Sequence, residues 1–248
     1  MERKVRRRAA YPIHKKLNFS SDSISDIYDW LCSKVQLQPV STVLDAGCGV
    51  GFGSLRIAEI FGCDVTGISL SSQEISQARE TTKQQGMDDK VQFLKKSYDD
   101  AFDQQYDLIV AVESLKHSTD LMHTLQNLCT HLRDQGRLVI VEDFYKLTEL
   151  TETARRFAAD WKLVDTFRKE DYYKILAEEN CDWYDFTNLM STKSKVVTRL
   201  QIAMNTILHA WKGGSDMDVY KIFRGGYYLD QLYTGAHMSY GALIYRKS

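Results

Sequence analysis

Residues 43–51 read Val43-Leu44-Asp45-Ala46-Gly47-Cys48-Gly49-Val50-Gly51, an apolar run that stops at alternating glycines. Directly behind it, Leu55, Ile57, Ala58 and Ile60 recur at helical spacing. A strand, a tight glycine turn and a helix are therefore expected in succession. Glycine opens backbone angles closed to other residues and lets a ligand approach the main chain. The helix behind the turn offers free N–H groups and the positive end of its dipole. A dinucleotide site would need G-x-G-x-x-G and an acid about 20 positions on. Counting from Gly47 puts Phe52 where the last glycine belongs, and counting from Gly49 puts Ser54 there. The spacing is instead Asp45-x-Gly47-x-Gly49-x-Gly51, with an acid inside the strand end. That acid suits a ligand that carries positive charge and has no pyrophosphate.

The pattern beyond the turn alternates. Helix is expected over 52–61, strand over 64–69, and helix over 71–85 with Ser71 as N-cap and Gly86 just past its end. Strands are expected over 91–94, 106–113 and 137–142, with a helix over 120–132. The run Leu108-Ile109-Val110-Ala111-Val112 is continuously apolar, as in strands covered on both faces. Such alternation predicts an α/β fold with a doubly wound, mostly parallel sheet. Ligands of such sheets sit at the carboxyl ends of the strands, near the switch in strand order. After Phe144 helical stretches dominate, over 148–180 and 192–232, around Trp183-Tyr184-Asp185-Phe186. A last strand is expected over 242–245. Aromatics are dense in this half, among them Trp161, Tyr172, Trp183, Trp211, Tyr233 and Tyr240. Most should serve helix packing, and a few should line an apolar pocket.

The 248 residues suffice for one large core with a small cap. The expected division is a basic arm and helix over 1–35 acting as a lid, a ligand-binding core over 36–146, and a helical cap with the last strands over 147–248. Near-balance of 32 basic against 33 acidic residues argues against bulk attraction to nucleic acid or a membrane surface. Five cysteines form no C-x-x-C pair and no metal spacing, so no metal is expected, and reduced thiols in the cytoplasm are. No apolar run reaches the ~20 residues of a membrane span.

The glycine turn resembles motif I of the class I S-adenosylmethionine (SAM) methyltransferases. The likeness continues in Gly67-Ile68-Ser69-Leu70-Ser71 followed by Ala78, and in Glu113-Ser114-Leu115-Lys116-His117 followed by Asp120. These stretches are similar to those of a branch holding sterol and tocopherol methyltransferases, cyclopropane fatty acid synthases and natural-product methyltransferases. The resemblance implies a seven-stranded sheet with a helical substrate cap, and SAM as cofactor with S-adenosylhomocysteine as product. It implies cofactor contacts from Asp45, Gly47, Cys48, Gly49, Gly51, Ser69, Leu70, Glu74, Ser97, Tyr98 and Val112. Many class I members end the second strand in an acid that binds the ribose. Here Ser69 stands there, and Glu74 can accept from the ribose hydroxyls or simply favour the helix dipole. Ser97 replaces the usual adenine-binding Asp, and Tyr98 can cover the ring. The chain lacks Asn/Asp-Pro-Pro-Tyr/Phe, which argues against methylation of nucleic-acid bases.

The catalytic candidates follow from the chemistry. In-line transfer of a sulfonium methyl needs positioning and exclusion of water more than acid–base help. A base is needed only where the acceptor loses a proton. His117 is that candidate, since imidazole titrates near neutrality and lies at a strand end. Glu113 can orient the site or the amine of SAM, and His237 is a weaker second base. His14, His123, His131 and His209 read as surface or packing residues. The expected activity is methyl transfer to O, N or C of a small, partly apolar metabolite, by a monomer or homodimer. The alternatives are a SAM-binding cyclase or rearrangement enzyme on the same fold, and, third, a nucleic-acid modifier using the basic arm.

Overall fold

A computed structural model describes residues 27–38, 41–164, 167–190 and 217–248. The basic arm, His14, His209, Trp211 and the part over 192–216 of the helical stretch expected over 192–232 lie outside the described residues.

The first described element is α1, Ile27–Lys34, whose Ile27 and Leu31 enter the core with Val35. Then come β1 (Thr42–Ala46), α2 (Phe52–Phe61), β2 (Asp64–Ser69), α3 (Ser72–Gln85), β3 (Val91–Lys95) and β4 (Tyr106–Val112). These are followed by α4 (Leu121–Thr130), β5 (Leu132–Tyr145), α5 (Glu152–Trp161), α6 (Lys169–Leu176), β6 (Cys181–Asp185), α7 (Met217–Thr234) and β7 (Met238–Arg246). The seven strands lie in the order β3-β2-β1-β4-β5-β7-β6. The first five are parallel, while β7 runs antiparallel to both β5 and β6.

Local sequence explains most of the element ends. Ser71 Oγ accepts from the Glu74 N–H at 3.2 Å, and Gly86 closes α3 in the left-handed conformation. Asp120 caps α4 through the His123 N–H, and Thr151 caps α5 through the Ala154 N–H. Each such cap is worth about 1 kcal/mol. In β4, Leu108 to Ala111 are fully buried, because the sheet is covered on both faces. Leu108 and Val110 face the side of α1, α2 and α3, while Ile109 and Ala111 face α4 and α6.

Two strands are longer than their sequence suggests. β5 was expected over 137–142 but spans 132–145, and β7 was expected over 242–245 but spans 238–246. Their pairing runs from Arg137↔Arg246 to Tyr145↔Met238. Each strand supplies the other's main-chain partners, a nonlocal source of order that neither sequence carries by itself. The piece at Trp183 forms β6, the sheet edge on β7.

Between α5 and α7 lies a separate core of Tyr145, Ala154, Phe157, Leu229, Leu232 and Met238. Asp160 joins the two helices by accepting from Arg224 Nε and Nη2 at 2.7 and 2.6 Å. This two-helix unit stands at the carboxyl end of β5.

Candidate functional site

The order of the sheet reverses between β1 and β4, and the glycine turn leaves β1 at that switch. Gly47, Gly49 and Gly51 have φ of 97°, 52° and 83°. Gly47 and Gly49 require glycine for different reasons. A Cβ on Gly47 would stand 2.3 Å from Cβ of Ser114, whose hydroxyl donates to the Ala46 carbonyl at 2.6 Å. A Cβ on Gly49 would meet no protein atom within 4 Å. Gly47 is thus held against the fold, while Gly49 presents bare main chain to open space. The N–H groups of Gly47 and Cys48 both donate to the Ile68 carbonyl, which ties the turn to β2.

Asp45 is 1% exposed, and its Oδ2 accepts from Ser54 Oγ at 2.6 Å. Burial pushes its carboxyl up to about 6, with the Ser54 hydrogen bonds acting in the opposite direction. Its visible role is to fasten the first turn of α2 beneath the glycines. Cys48 is buried, and burial together with the Asp45 charge raises its thiol, so it stays protonated. Val112 packs its side chain into the core.

At the end of β2, Ser69 Oγ donates to Glu74 Oε2 at 2.6 Å and accepts from the Ser71 N–H. The Glu74 carboxylate is therefore aimed by the strand end, which a dipole role alone would not need. Leu70 beside it is 68% exposed, a large apolar side chain standing free at a strand end. Ser97 caps the next turn, accepting from the Asp99 N–H at 3.1 Å. Tyr98 packs partly against the core, and burial pushes its phenol up to about 12.

The segment after β4 begins with Glu113, a non-glycine residue at φ 53°. Such a backbone is strained and recurs at functional sites. Tyr240 Oη donates to Glu113 Oε1 at 2.9 Å. Residues 115–117 form a single 3-10 turn. Its Lys116 points inward and is 7% exposed, while His117 lies towards solvent. Partial burial and the neighbouring Lys116 charge lower the His117 pKa, so the imidazole is neutral at pH 7. His237 lies at the start of β7, where its carbonyl accepts from the Lys146 N–H. His131 reads as a packing residue, with Nε2 accepting from the Phe102 N–H and Nδ1 on the Asn127 carbonyl.

Sequence reasoning missed a charged cluster beside this segment. Lys116 Nζ lies 3.2 Å from Asp143 and 3.6 Å from both Glu113 and Glu142. Tyr233 of α7 donates to Asp143, and the Leu115 N–H donates to Glu142 at 2.9 Å. Burial opposes the Lys116 charge, but Glu142, Asp143 and Glu113 outweigh it and hold its pKa above the usual value. Burial pushes Glu142 up to about 7 despite the Lys116 charge. The available signal was the ending of β5, where the apolar run Val139-Ile140-Val141 breaks into Glu142-Asp143. Among the described residues no His/Cys/Asp/Glu group is arranged to hold a metal.

A family model described as a methyltransferase domain matches residues 37–191, more than half of the chain. The chain belongs to this methyltransferase-domain family. It is 32% identical over 124 residues to a 27-O-demethylrifamycin SV methyltransferase of Amycolatopsis mediterranei, covering 48% of this chain and 44% of that one. It is 28% identical over 165 residues to a sterol 24-C-methyltransferase of Saccharomyces cerevisiae, covering 64% and 43%. The chain thus spans less than half the length of these curated relatives. In fold it is similar to a crystal structure of a putative sarcosine dimethylglycine methyltransferase from Galdieria sulphuraria. That likeness has a TM-score of 0.74 at 18% identity and covers 89% and 84% of the two chains. The seven-stranded, doubly wound sheet expected from the sequence is the fold these domains share.

Proposed function

We propose that the chain transfers the methyl group of S-adenosylmethionine to N, O or C of a small, partly apolar metabolite. The observation that carries this reading is the glycine turn at the strand switch, where Gly49 offers bare main chain and the turn is tied to the end of β2, after which come Leu70 and, in the first turn of α3, Glu74. A ribose suits Glu74 Oε1, which has no protein hydrogen-bond partner among the described residues. An adenine face suits Leu70, with Tyr98 from the β3 end opposite. The Gly47–Gly51 main chain would pass under the methionine part, and Glu113 would meet its ammonium. When bound, SAM supplies an electrophilic methyl on a sulfonium leaving group.

The protein's part is position and exclusion of water. Asp45 and Ser114 keep the turn in place from below. Lys116 and Tyr240 hold Glu113 in its strained backbone. His117, neutral near pH 7, takes the proton of an acceptor that must lose one. The unit of α5 and α7 roofs the acceptor side. Residues 36–146 would then hold the cofactor and 147–248 shape the acceptor. A small-molecule acceptor accords with the relatives named above, and among the described residues no helix is long and apolar enough to cross a membrane.

The test is incubation with methyl-labelled SAM and a metabolite extract. Label in a small product, with one S-adenosylhomocysteine per transfer, supports the reading. Conversion of a metabolite with SAM left intact would favour a cyclase or rearrangement enzyme on the same fold.

A further inference from the structure

His117 rides on the single 3-10 turn after β4, so the place of its ring depends on how firmly that turn is held. On the near side the turn is fixed by β1 and β5. The Ser114 hydroxyl donates to the Ala46 carbonyl, and the Leu115 N–H donates to Glu142 Oε1. On the far side it is fixed by side chains. Ser118, directly after His117, is 1% exposed, and its Oγ lies 2.8 Å from Oγ1 of Thr124, a fully buried residue of α4. The Thr124 hydroxyl donates to Oδ1 of Asp99, on the segment between β3 and β4.

This chain of hydroxyls has one direction. An ionised carboxylate only accepts, so Asp99 takes the one Thr124 proton. Thr124 then accepts from Ser118, and the Ser118 oxygen accepts in turn from the Asp120 N–H at 3.2 Å. Asp99 is a fixed end point. Its own N–H donates to Ser97 Oγ at 3.1 Å, and Asn127 of α4 donates to the carbonyls on either side of it, Tyr98 at 2.8 Å and Asp100 at 2.9 Å. Two buried hydroxyls add little to stability, since an apolar pair of the same shape would pack about as well. What a satisfied buried network adds is a single geometry. Methyl transfer depends on such geometry, because a misplacement of ~1 Å can cost ~100-fold in rate.

We infer that Asp99, Thr124 and Ser118 are positioning residues for methyl transfer, which together fix the turn that aims the His117 imidazole at the acceptor. They act through His117 and not on the reacting atoms. The inference rests on the reading of His117 as the group that takes the acceptor's proton. Tyr98, next to Asp99, would cover the adenine, so one segment serves cofactor and base together.

The experiment is a double-mutant cycle, read as the rate of label transfer from saturating methyl-labelled SAM into the small products of a metabolite extract. Thr124→Val keeps the branched shape and removes the hydroxyl. It should lower the rate about tenfold and be rescued by Thr124→Ser. It should leave S-adenosylhomocysteine affinity within about twofold. In a His117→Ala background it should change the rate by less than about twofold, because the group it positions is gone. An equal loss in both backgrounds, an unchanged rate in the first, or Thr124→Ser as slow as Thr124→Val would overturn the inference. Thr124→Val leaves the buried Ser118 hydroxyl without its acceptor. If that variant does not fold, Ser118→Ala/Thr124→Val removes both hydroxyls and takes its place in the cycle, with the same expectations. A His117→Ala protein as fast as its parent removes the base reading, and the inference with it. Where the extract holds no acceptor, the His117 ring proton resonance in the S-adenosylhomocysteine complex decides, identified by its loss in His117→Ala. Thr124→Val should move it and Thr124→Ser should not, and a resonance that neither moves overturns the inference.

Discussion

Substituting Ala at Gly49 and at Gly47 separates the ligand-facing part of the turn from its structural part. At Gly49, with φ 52°, the new methyl meets no protein atom within 4 Å. The cost to the fold is then the left-handed backbone alone, about 1–2 kcal/mol. For a chain of this size that lowers Tm by roughly 2–8 °C. The same methyl fills the space through which a ligand would reach the main chain. Affinity for S-adenosylhomocysteine should fall by at least ~100-fold, or about 2.8 kcal/mol. At Gly47, with φ 97°, the added Cβ would sit 2.3 Å from Ser114 Cβ. Overpacking adds about 1–3 kcal/mol to the backbone strain. Displacing Ser114 also gives up its hydrogen bond to Ala46, about 1 kcal/mol more. Gly47→Ala should therefore lose about 3–6 kcal/mol, a large part of an ordinary domain's stability. Urea unfolding measures the first quantity and calorimetric titration the second. A Gly49→Ala protein that is folded and binds S-adenosylhomocysteine like its parent would refute the reasoning. So would a Gly47→Ala protein as stable as Gly49→Ala.

Other outcomes follow from single contacts. Ser69→Ala removes the hydroxyl that aims Glu74, and S-adenosylhomocysteine should bind about tenfold more weakly, the value of one charge-assisted hydrogen bond. Asp45 titrates near 6 in the fold against 3.8 ordinarily, so its protonated form is favoured by folding. Its contribution to stability is fully present below about pH 4 and fades as pH rises through about 6, by about 3 kcal/mol. Asp45→Asn should consequently stabilise the protein by about 1–3 kcal/mol at pH 7.5 and hardly at all at pH 4, as read by urea unfolding; equal gains at both pH values would contradict a buried, ionised Asp45. His117→Ala should leave cofactor affinity within a few-fold and cut turnover by ~100-fold or more if the ring takes the acceptor's proton. Unchanged turnover would make His117 structural only.

The parallel half of the fold was legible because each element carries its own signal. Ser71 and Gly86 bracket α3, Asp120 starts α4, and the apolar run of β4 announces a strand covered on both faces. The ends of β5 and β7 were not, because their order comes from each other across 92 or more residues of intervening chain. Site residues divided in the same way. Gly47, Gly49, Ser69 and Glu74 lie in local motifs whose spacing is itself the chemistry. Lys116, Glu142, Asp143, Tyr233 and Tyr240 come from four separate elements, and only the sheet order brings them together. A lysine inside a motif also reads as a surface charge until the carboxylates around it are seen. Of the cofactor contacts that the motif implies, Cys48 and Val112 have buried side chains, while Leu70 is exposed.

The most direct measurement is a crystal structure of the protein grown with S-adenosylhomocysteine. The methionine part should lie along the Gly47–Gly51 main chain, the ribose hydroxyls on Glu74, the adenine between Leu70 and Tyr98, and the sulfur directed towards His117. A nucleoside bound elsewhere, with the glycine turn closed against it, would contradict the account.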